Sequence, residues 1–149
     1  METKIDHIGI VVKDLKKSMN FYSEVFGWKQ PDTGPYSKVQ EIDRPGDKFR
    51  YVLLQGGGPY IELFEPKEGP WSERLNERGD GSIWQICVSV DNIEKFYDVM
   101  KERGITPVDG LNNPLTGRKY IVTSSGAKIF YLPPTKTYGT WFEILQRPR

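Results

Sequence analysis

The sequence predicts an α+β protein built from two βαβββ repeats, because two separate segments of the chain each occur twice. Residues 6–15 resemble residues 84–93, which follow them at a spacing of 78 positions. Residues 60–66 resemble residues 141–147 at a spacing of 81 positions. The first pair of segments opens each repeat and the second pair closes it, so the change in spacing is accounted for by three residues of loop.

The length of the chain, 149 residues, fits a single domain that contains both repeats. The first repeat is expected over about residues 1–66 and the second over about residues 80–149. The linker between them, residues 67–79, is expected to hold one or two helical turns. A four-stranded sheet with one helix has only one of its faces covered, so neither repeat is expected to fold alone.

Each repeat opens with an apolar strand that leads into an amphipathic helix. The first helix is expected to stop at Gly27 and the second at Gly104. Their apolar stripes are Leu15, Met19, Tyr22 and Phe26 in the first helix and Ile93, Phe96, Tyr97 and Met100 in the second. Asp14 and Asp91 are expected as N-caps, and Asp91 with Glu94 has the spacing of a capping box.

After each helix, clusters of glycine, proline and asparagine divide the sequence into short strand-like segments. This pattern predicts a meander of three strands per repeat. The run Gly56-Gly57-Gly58-Pro59 stands between two of these strands. A phosphate-binding loop would be followed by a helix, so this run is interpreted as a hairpin turn.

Composition excludes several classes of partner and site. The chain has 21 Lys and Arg against 20 Asp and Glu, so its charge gives no reason to expect nucleic acid or an anionic membrane as partner. The mean hydropathy is −0.57 and no apolar run approaches the length of a membrane span. The strand-like start lacks a signal-peptide pattern, so the expected location is the cytoplasm. The single cysteine, Cys87, excludes multi-cysteine metal sites and is expected to be buried packing.

Four polar residues occupy equivalent places in the two repeats: His7 and Gln85 in the opening strands, and Glu62 and Glu143 in the closing strands. Strand side chains alternate between faces, so all four are expected on the face away from the helices. Carboxylates among large apolar neighbours need a counter-charge, and a divalent cation shared by two of them would supply it. Taken singly, each residue also has an ordinary structural interpretation, as a strand histidine, a sheet amide or a surface carboxylate.

Several segments carry a resemblance to glyoxalase I and the methylmalonyl-CoA epimerases of the vicinal oxygen chelate superfamily. They are Ile5 to Leu15, Phe21-Tyr22, Phe26-Gly27, Tyr60 to Phe64, Gly79 to Ile83 and Trp141 to Ile144. The resemblance implies a curved mixed β-sheet around a central cleft, with the helices on the outer face. It also implies a divalent metal ion (Zn, Ni, Co, Mn or Fe) held by His7, Glu62, Gln85 and Glu143. Gln85 departs from the family pattern, which usually has histidine there.

The function that this resemblance implies is a metal-dependent isomerase or lyase that moves a proton next to a carbonyl through an enolate-like intermediate. Glu143 is the first candidate for the base, and Glu62 for the group that returns the proton. The small-molecule substrate is either a 2-acyl-CoA thioester, as for an epimerase, or a glutathione hemithioacetal, as for lactoylglutathione lyase. A homodimer is expected.

Two alternatives remain open at this stage. The first is a metal-free binding or resistance protein of the bleomycin-binding type, with an aromatic groove drawn from Trp71, Trp84, Tyr138 and Trp141. The second is an extradiol-type dioxygenase, whose site resembles two histidines and one carboxylate. Because His7 is the only histidine, the second alternative is the weaker one.

Overall fold

The computed structural model describes residues 2–149 and confirms the predicted α+β class with two βαβββ repeats. The first repeat comprises β1 (Thr3–Val11), α1 (Leu15–Phe26), β2 (Gln40–Arg44), β3 (Asp47–Leu54) and β4 (Tyr60–Glu68). The second comprises β5 (Ser82–Val90), α3 (Ile93–Glu102), β6 (Ile121–Val122), β7 (Lys128–Leu132) and β8 (Trp141–Gln146). Between the repeats lies the helix α2, Pro70–Arg78, where the sequence predicted one or two helical turns.

The chain divides into two compact units, which are described separately. The N-terminal unit is residues 7–84, and the C-terminal unit is residues 85–149 together with residues 2–6. In the N-terminal unit β1 pairs in parallel with β4, and β3 lies antiparallel to both β4 and β2. In the C-terminal unit β5 pairs in parallel with β8, and β7 lies antiparallel to both β8 and β6. The two units therefore share one strand arrangement.

Each unit has its core between its helix and one face of its sheet. In the N-terminal unit the core joins the α1 residue Leu15 to side chains from alternate strand positions, namely Ile10, Val12, Val52, Leu54 and Leu63. In the C-terminal unit the corresponding core is Val90, Ile93, Phe130, Leu132 and Ile144. Because the strands alternate, the residues between these core positions lie on the opposite face, away from α1 in the N-terminal unit and away from α3 in the C-terminal unit.

The helices α1 and α3 begin at equivalent positions of the two repeats, but the N-cap predicted for α3 is wrong. Asp14 caps α1 by accepting a hydrogen bond from the backbone N–H of Lys17. In the second repeat Asn92, and not Asp91, is the cap and accepts from the backbone N–H of Lys95. Asn92 is the residue that aligns with Asp14, and the helix begins directly after it at Ile93, so Asp91 and Glu94 do not form the capping box.

The triple glycine connects β3 and β4, as expected of a hairpin turn. Gly57 has a φ of 86°, a conformation that favours glycine. Gly56 lies against the indole of Trp28, where an added Cβ would be 2.3 Å from Nε1. Among residues 2–149, no helix is long and apolar enough to span a membrane.

A buried carboxylate fixes the start of α1 onto the sheet of the N-terminal unit. Glu65 is buried in β4 and accepts hydrogen bonds from the backbone N–H of Leu15 and from Arg50, while Lys67 lies 2.7 Å away. Burial alone would raise the pKa of Glu65, but the bonds from Lys67, Leu15 and Arg50 outweigh it and lower the pKa to about 2. The same pairing raises the pKa of Arg50. Arg50 thus has a structural partner within the sheet.

This pairing predicts a pH-dependent contribution to stability. The folded pKa lies below the ordinary value of 4.5, so the contribution is complete above about pH 4.5 and disappears as the pH falls toward 2. We expect Glu65→Gln to lower the free energy of unfolding by roughly 2 kcal/mol at pH 7, and by much less at pH 3. Urea unfolding at both pH values measures this, with Glu68→Gln, which removes a half-exposed ion pair to Lys48, as the control. A loss that is equal at both pH values would contradict the assignment.

Candidate active site

His7 and Glu62 lie together on the face of the N-terminal sheet that is opposite α1. In the parallel pairing of β1 with β4, His7 is opposite Tyr60 and Gly9 is opposite Glu62. The Nε2 atom of His7 is 3.7 Å from Oε2 of Glu62. The histidine is 6% exposed and the glutamate side chain 12%, so this imidazole and carboxylate face each other with little access to water. The structure therefore brings together the two site residues predicted in the first repeat.

Gln85 and Glu143 form the corresponding pair in the C-terminal unit. Gln85 is opposite Trp141 in the pairing of β5 with β8, and Glu143 is opposite both Cys87 and Tyr131. The amide nitrogen of Gln85 donates a 2.7 Å hydrogen bond to Oε2 of Glu143. Both residues are buried, at 3% and 8% exposure. The second repeat thus also joins its two predicted site residues, on the face without α3.

The carboxylate determines which way the Gln85 amide points. An ionised carboxylate only accepts hydrogen bonds, so the NH₂ group of Gln85 has to face Glu143 and the amide oxygen has to point elsewhere. Across the described chain, residues 2–149, no donor is hydrogen-bonded to that buried oxygen. A buried carbonyl oxygen without a donor costs free energy. Such an oxygen is suited to a cation or to a donor group on a ligand.

The donor set fits a divalent metal ion. Two ligand atoms that each lie about 2.1 Å from one ion are at most about 4.2 Å apart, so the 3.7 Å between His7 Nε2 and Glu62 Oε2 is compatible with a shared ion. The same 3.7 Å is too long for a good hydrogen bond between these atoms. In the C-terminal unit, the amide oxygen of Gln85 and the carboxylate of Glu143 are oxygen donors of the kind that suits divalent cations. The chemistry of each pair, taken by itself, therefore suits a metal ion.

Other residues singled out in the sequence have structural surroundings. Cys87 is fully buried and packs with Ala127, Ile129 and Leu145, as expected. Of the predicted groove aromatics, Trp71 and Trp84 are in contact within the N-terminal unit, and Trp141 and Tyr138 belong to the C-terminal unit. Trp141 is buried and Tyr138 is fully exposed.

One contact of α2 was not identified from the sequence. Arg74 of α2 places its guanidinium carbon 3.6 Å from the ring centre of Trp84 and 4.4 Å from that of Trp71. The signal available in the sequence was the spacing of Trp71 and Arg74, which are three residues apart and therefore neighbours on a helix. The sequence predicted one or two helical turns in this segment and Trp71 as a groove aromatic, but it did not identify Arg74.

Comparison with known proteins assigns the chain to a family. The family model of the Glyoxalase/Bleomycin resistance protein/Dioxygenase superfamily matches residues 4–144. The chain belongs to this superfamily, which confirms the resemblance inferred from the segments around His7, Glu62 and Glu143.

Curated relatives include a lyase and several epimerases. The lactoylglutathione lyase of Schizosaccharomyces pombe is 32% identical over 69% of this chain, and the match spans 38% of the length of the yeast protein. The mitochondrial methylmalonyl-CoA epimerase of Homo sapiens is 23% identical over 96% of this chain and 73% of its own length. Both relatives are enzymes, and their reactions belong to the two classes expected from the sequence.

Solved structures show the same fold. A hypothetical protein from Bacillus halodurans is 27% identical and superimposes with a TM-score of 0.74 over 100% of this chain and 97% of its own. The methylmalonyl-CoA epimerase of Streptomyces coelicolor, in complex with 2-nitronate-propionyl-CoA, has a TM-score of 0.76 at 21% identity over the full length of both chains. At that identity the likeness concerns the fold alone.

Proposed function

We propose that this protein is a metal-dependent isomerase or lyase that moves a proton next to a carbonyl group. The observation that carries the proposal is the repetition of a buried polar pair, His7 with Glu62 and Gln85 with Glu143, on the face opposite α1 in one unit and opposite α3 in the other. Membership in a superfamily with lyase and epimerase relatives supports it.

The proposed ligands of the metal are His7, Glu62, Gln85 and Glu143. When bound, a divalent ion would supply Lewis-acid stabilisation of the oxyanion that develops as the proton leaves. The ligand atoms are one imidazole nitrogen, one amide oxygen and two carboxylate groups, and Zn, Ni, Co, Mn and Fe remain candidates for the ion. The buried amide oxygen of Gln85 is the structural support for including this residue.

The two glutamates carry the proton in this proposal. Glu143 is assigned as the base that takes the proton, and its Oε2 accepts a hydrogen bond from the Gln85 amide. Glu62, its equivalent in the first repeat, is assigned to return the proton to the opposite face of the carbanion. Each glutamate then acts as a ligand at rest and as a proton carrier during turnover.

The two candidate substrates are distinguished by direct assay. An epimerase would exchange the 2-hydrogen of methylmalonyl-CoA with solvent deuterium, whereas a lactoylglutathione lyase would convert the hemithioacetal of methylglyoxal and glutathione. We expect exchange into the CoA ester, because the epimerase match covers 96% of this chain and the lyase match 69%. Turnover of the hemithioacetal without exchange would assign the lyase reaction instead, and the absence of both would contradict the enzyme assignment.

The aromatic cluster around Trp71 and Trp84 is the feature that favours a metal-free binding protein as the second candidate. That function would require ligand binding without turnover and without metal. A dioxygenase of the extradiol type is disfavoured because the chain contains one histidine.

We also propose that the protein is cytoplasmic and forms a homodimer. Light scattering would measure the mass of the assembly.

A further inference from the structure

Three large apolar side chains stand exposed on α1, and together they are called the α1 patch. Phe21, Val25 and Phe26 are 54%, 56% and 54% exposed. The helix meets the core of the N-terminal unit through other residues, among them Leu15 and Met19. Single exposed apolar side chains are common, but three neighbours on one short helix indicate a surface that binds a partner.

Aromatic contacts give the α1 patch a defined shape. The ring of Phe21 meets the rings of Tyr22 and Phe26 edge to face, with centres 5.5 and 6.2 Å apart. Phe26 also stacks on Trp28, with ring centres 4.9 Å apart. Because these rings support one another within the chain, less side-chain freedom is lost when a partner covers them.

The size of the α1 patch suits the centre of a protein–protein interface. A phenylalanine that is about half exposed presents roughly 100 Å² of accessible surface, so the three side chains together present about 300 Å². A standard interface buries about 800 Å² on each partner, with an apolar centre and a polar rim. The patch can therefore form the centre, and the polar residues around it can form the rim.

Two charges of opposite sign lie on either side of Phe21 along the helix. Lys17 is four positions before Phe21 and Glu24 is three positions after it, so the three side chains share one side of α1. Both charged residues are exposed, and within residues 2–149 neither side chain has an ion-pair or hydrogen-bond partner. Two such helices that cross antiparallel at Phe21 place Lys17 of each beside Glu24 of the other.

We propose that the α1 patch is the dimer interface, with the α1 helices of two copies of this chain packed antiparallel about a twofold axis at Phe21. A twofold interface uses the same surface of both copies, so this surface has to be complementary to itself. Lys17 and Glu24 on opposite sides of an apolar centre meet that requirement, whereas an unrelated partner would not need it. The inference rests on the homodimer proposed above and is independent of the proposed metal and reaction.

Sedimentation equilibrium of the full chain tests the apolar centre. Phe21→Glu places two carboxylates together at the axis and should raise the dissociation constant of the dimer about 100-fold or more. Leu111→Glu is the matched control, because Leu111 is 57% exposed in a turn of the C-terminal unit, and it should change the constant less than about threefold. A folded Phe21→Glu protein that dimerises like wild type would overturn the proposal, and so would a monomeric wild type.

A charge exchange tests the antiparallel arrangement. Lys17→Glu and Glu24→Lys should each weaken the dimer about tenfold, because each brings two like charges together. The double variant restores opposite charges across the axis and should dimerise nearly as well as wild type. Thermal unfolding shows which variants are folded, and these two exposed positions decide the matter if Phe21→Glu is not. Single variants without effect, or a double variant without recovery, would overturn the arrangement.

Cross-linking locates the axis. The axes of packed helices are about 8–10 Å apart, so a short bis-maleimide should join two copies of Phe21→Cys. Wild type is the control because its single cysteine, Cys87, is fully buried, and Leu111→Cys controls for chance collisions. Cross-linking of Phe21→Cys no faster than of Leu111→Cys would contradict an axis at Phe21.

The outcomes for the interface and for the proposed function are separate. Because α1 covers the face of the sheet opposite His7 and Glu62, Phe21→Glu should still bind metal. A dimer that depends on Phe21, in a protein without bound metal or turnover, would reject the proposed function and keep the interface. A dimer that is indifferent to Phe21, Lys17 and Glu24, in an active metalloenzyme, would reject the interface alone.

Discussion

Replacing Glu143 with glutamine is expected to reduce solvent deuterium exchange into the substrate by about 10²- to 10⁴-fold. The amide has nearly the shape of the carboxylate but does not accept a proton, so the base of the proposed reaction is removed. The partner of Glu143 loses its carboxylate acceptor, yet an amide oxygen at the same position still accepts the hydrogen bond from Gln85. Because the shape and this hydrogen bond are kept, we expect the fold to survive the change.

The measurement is exchange followed by mass spectrometry at saturating substrate. Glu102→Gln is the control, because Glu102 is an exposed glutamate at the end of α3. Much of the metal binding should persist in Glu143→Gln, since three other ligands are unchanged. Exchange at the wild-type rate would remove Glu143 from the role of base.

Replacing His7 with alanine is expected to weaken divalent-metal binding by about 100-fold or more. The substitution removes the single nitrogen donor of the proposed ligand set and leaves the nearby Glu62 carboxylate without its imidazole neighbour. His7→Gln restores an oxygen donor at this position, as Gln85 provides in the second repeat, and should bind metal more tightly than His7→Ala. Isothermal titration with Mn²⁺, Co²⁺ and Zn²⁺ compares the three proteins.

The unfolding temperatures of the metal-free proteins show whether a substitution changes the structure of the site or only its metal ligands. Without metal, His7→Gln should unfold within a few degrees of wild type, because glutamine is polar and similar in length to histidine. Metal affinity that is identical in wild type, His7→Gln and His7→Ala would exclude His7 as a ligand.

Much of the site was predictable because a strand has a strict period of two. Once residues 6–15 and 84–93 were aligned, the alternation placed His7 and Gln85 on the face opposite the apolar core positions, and the structure confirms this for each unit. The alignment also identified Asn92 as the equivalent of Asp14, so the wrong cap arose from preferring aspartate as a residue type over the repeat position.

Other features depend on contacts between distant parts of the chain. The direction of the Gln85 amide follows from a hydrogen bond across 58 positions to Glu143, which no local pattern indicates. The buried Glu65 accepts from the start of α1, 50 positions away, and the sequence gives no sign that this glutamate differs from its exposed neighbours. Arg74 of α2 also contacts Trp84, which belongs to the next strand.

Bound metal in the protein as purified, without chelators, tests the central claim most directly. The account predicts about one divalent ion per chain by elemental analysis. We also expect a chelator to lower the unfolding temperature and Mn²⁺, Co²⁺, Ni²⁺ or Zn²⁺ to restore it. At a free ion concentration of 100 times the dissociation constant, the ion would stabilise the folded protein by about 2.7 kcal/mol. A metal-free protein whose unfolding temperature is unchanged by all four ions would contradict the assignment of His7, Glu62, Gln85 and Glu143 as a metal centre.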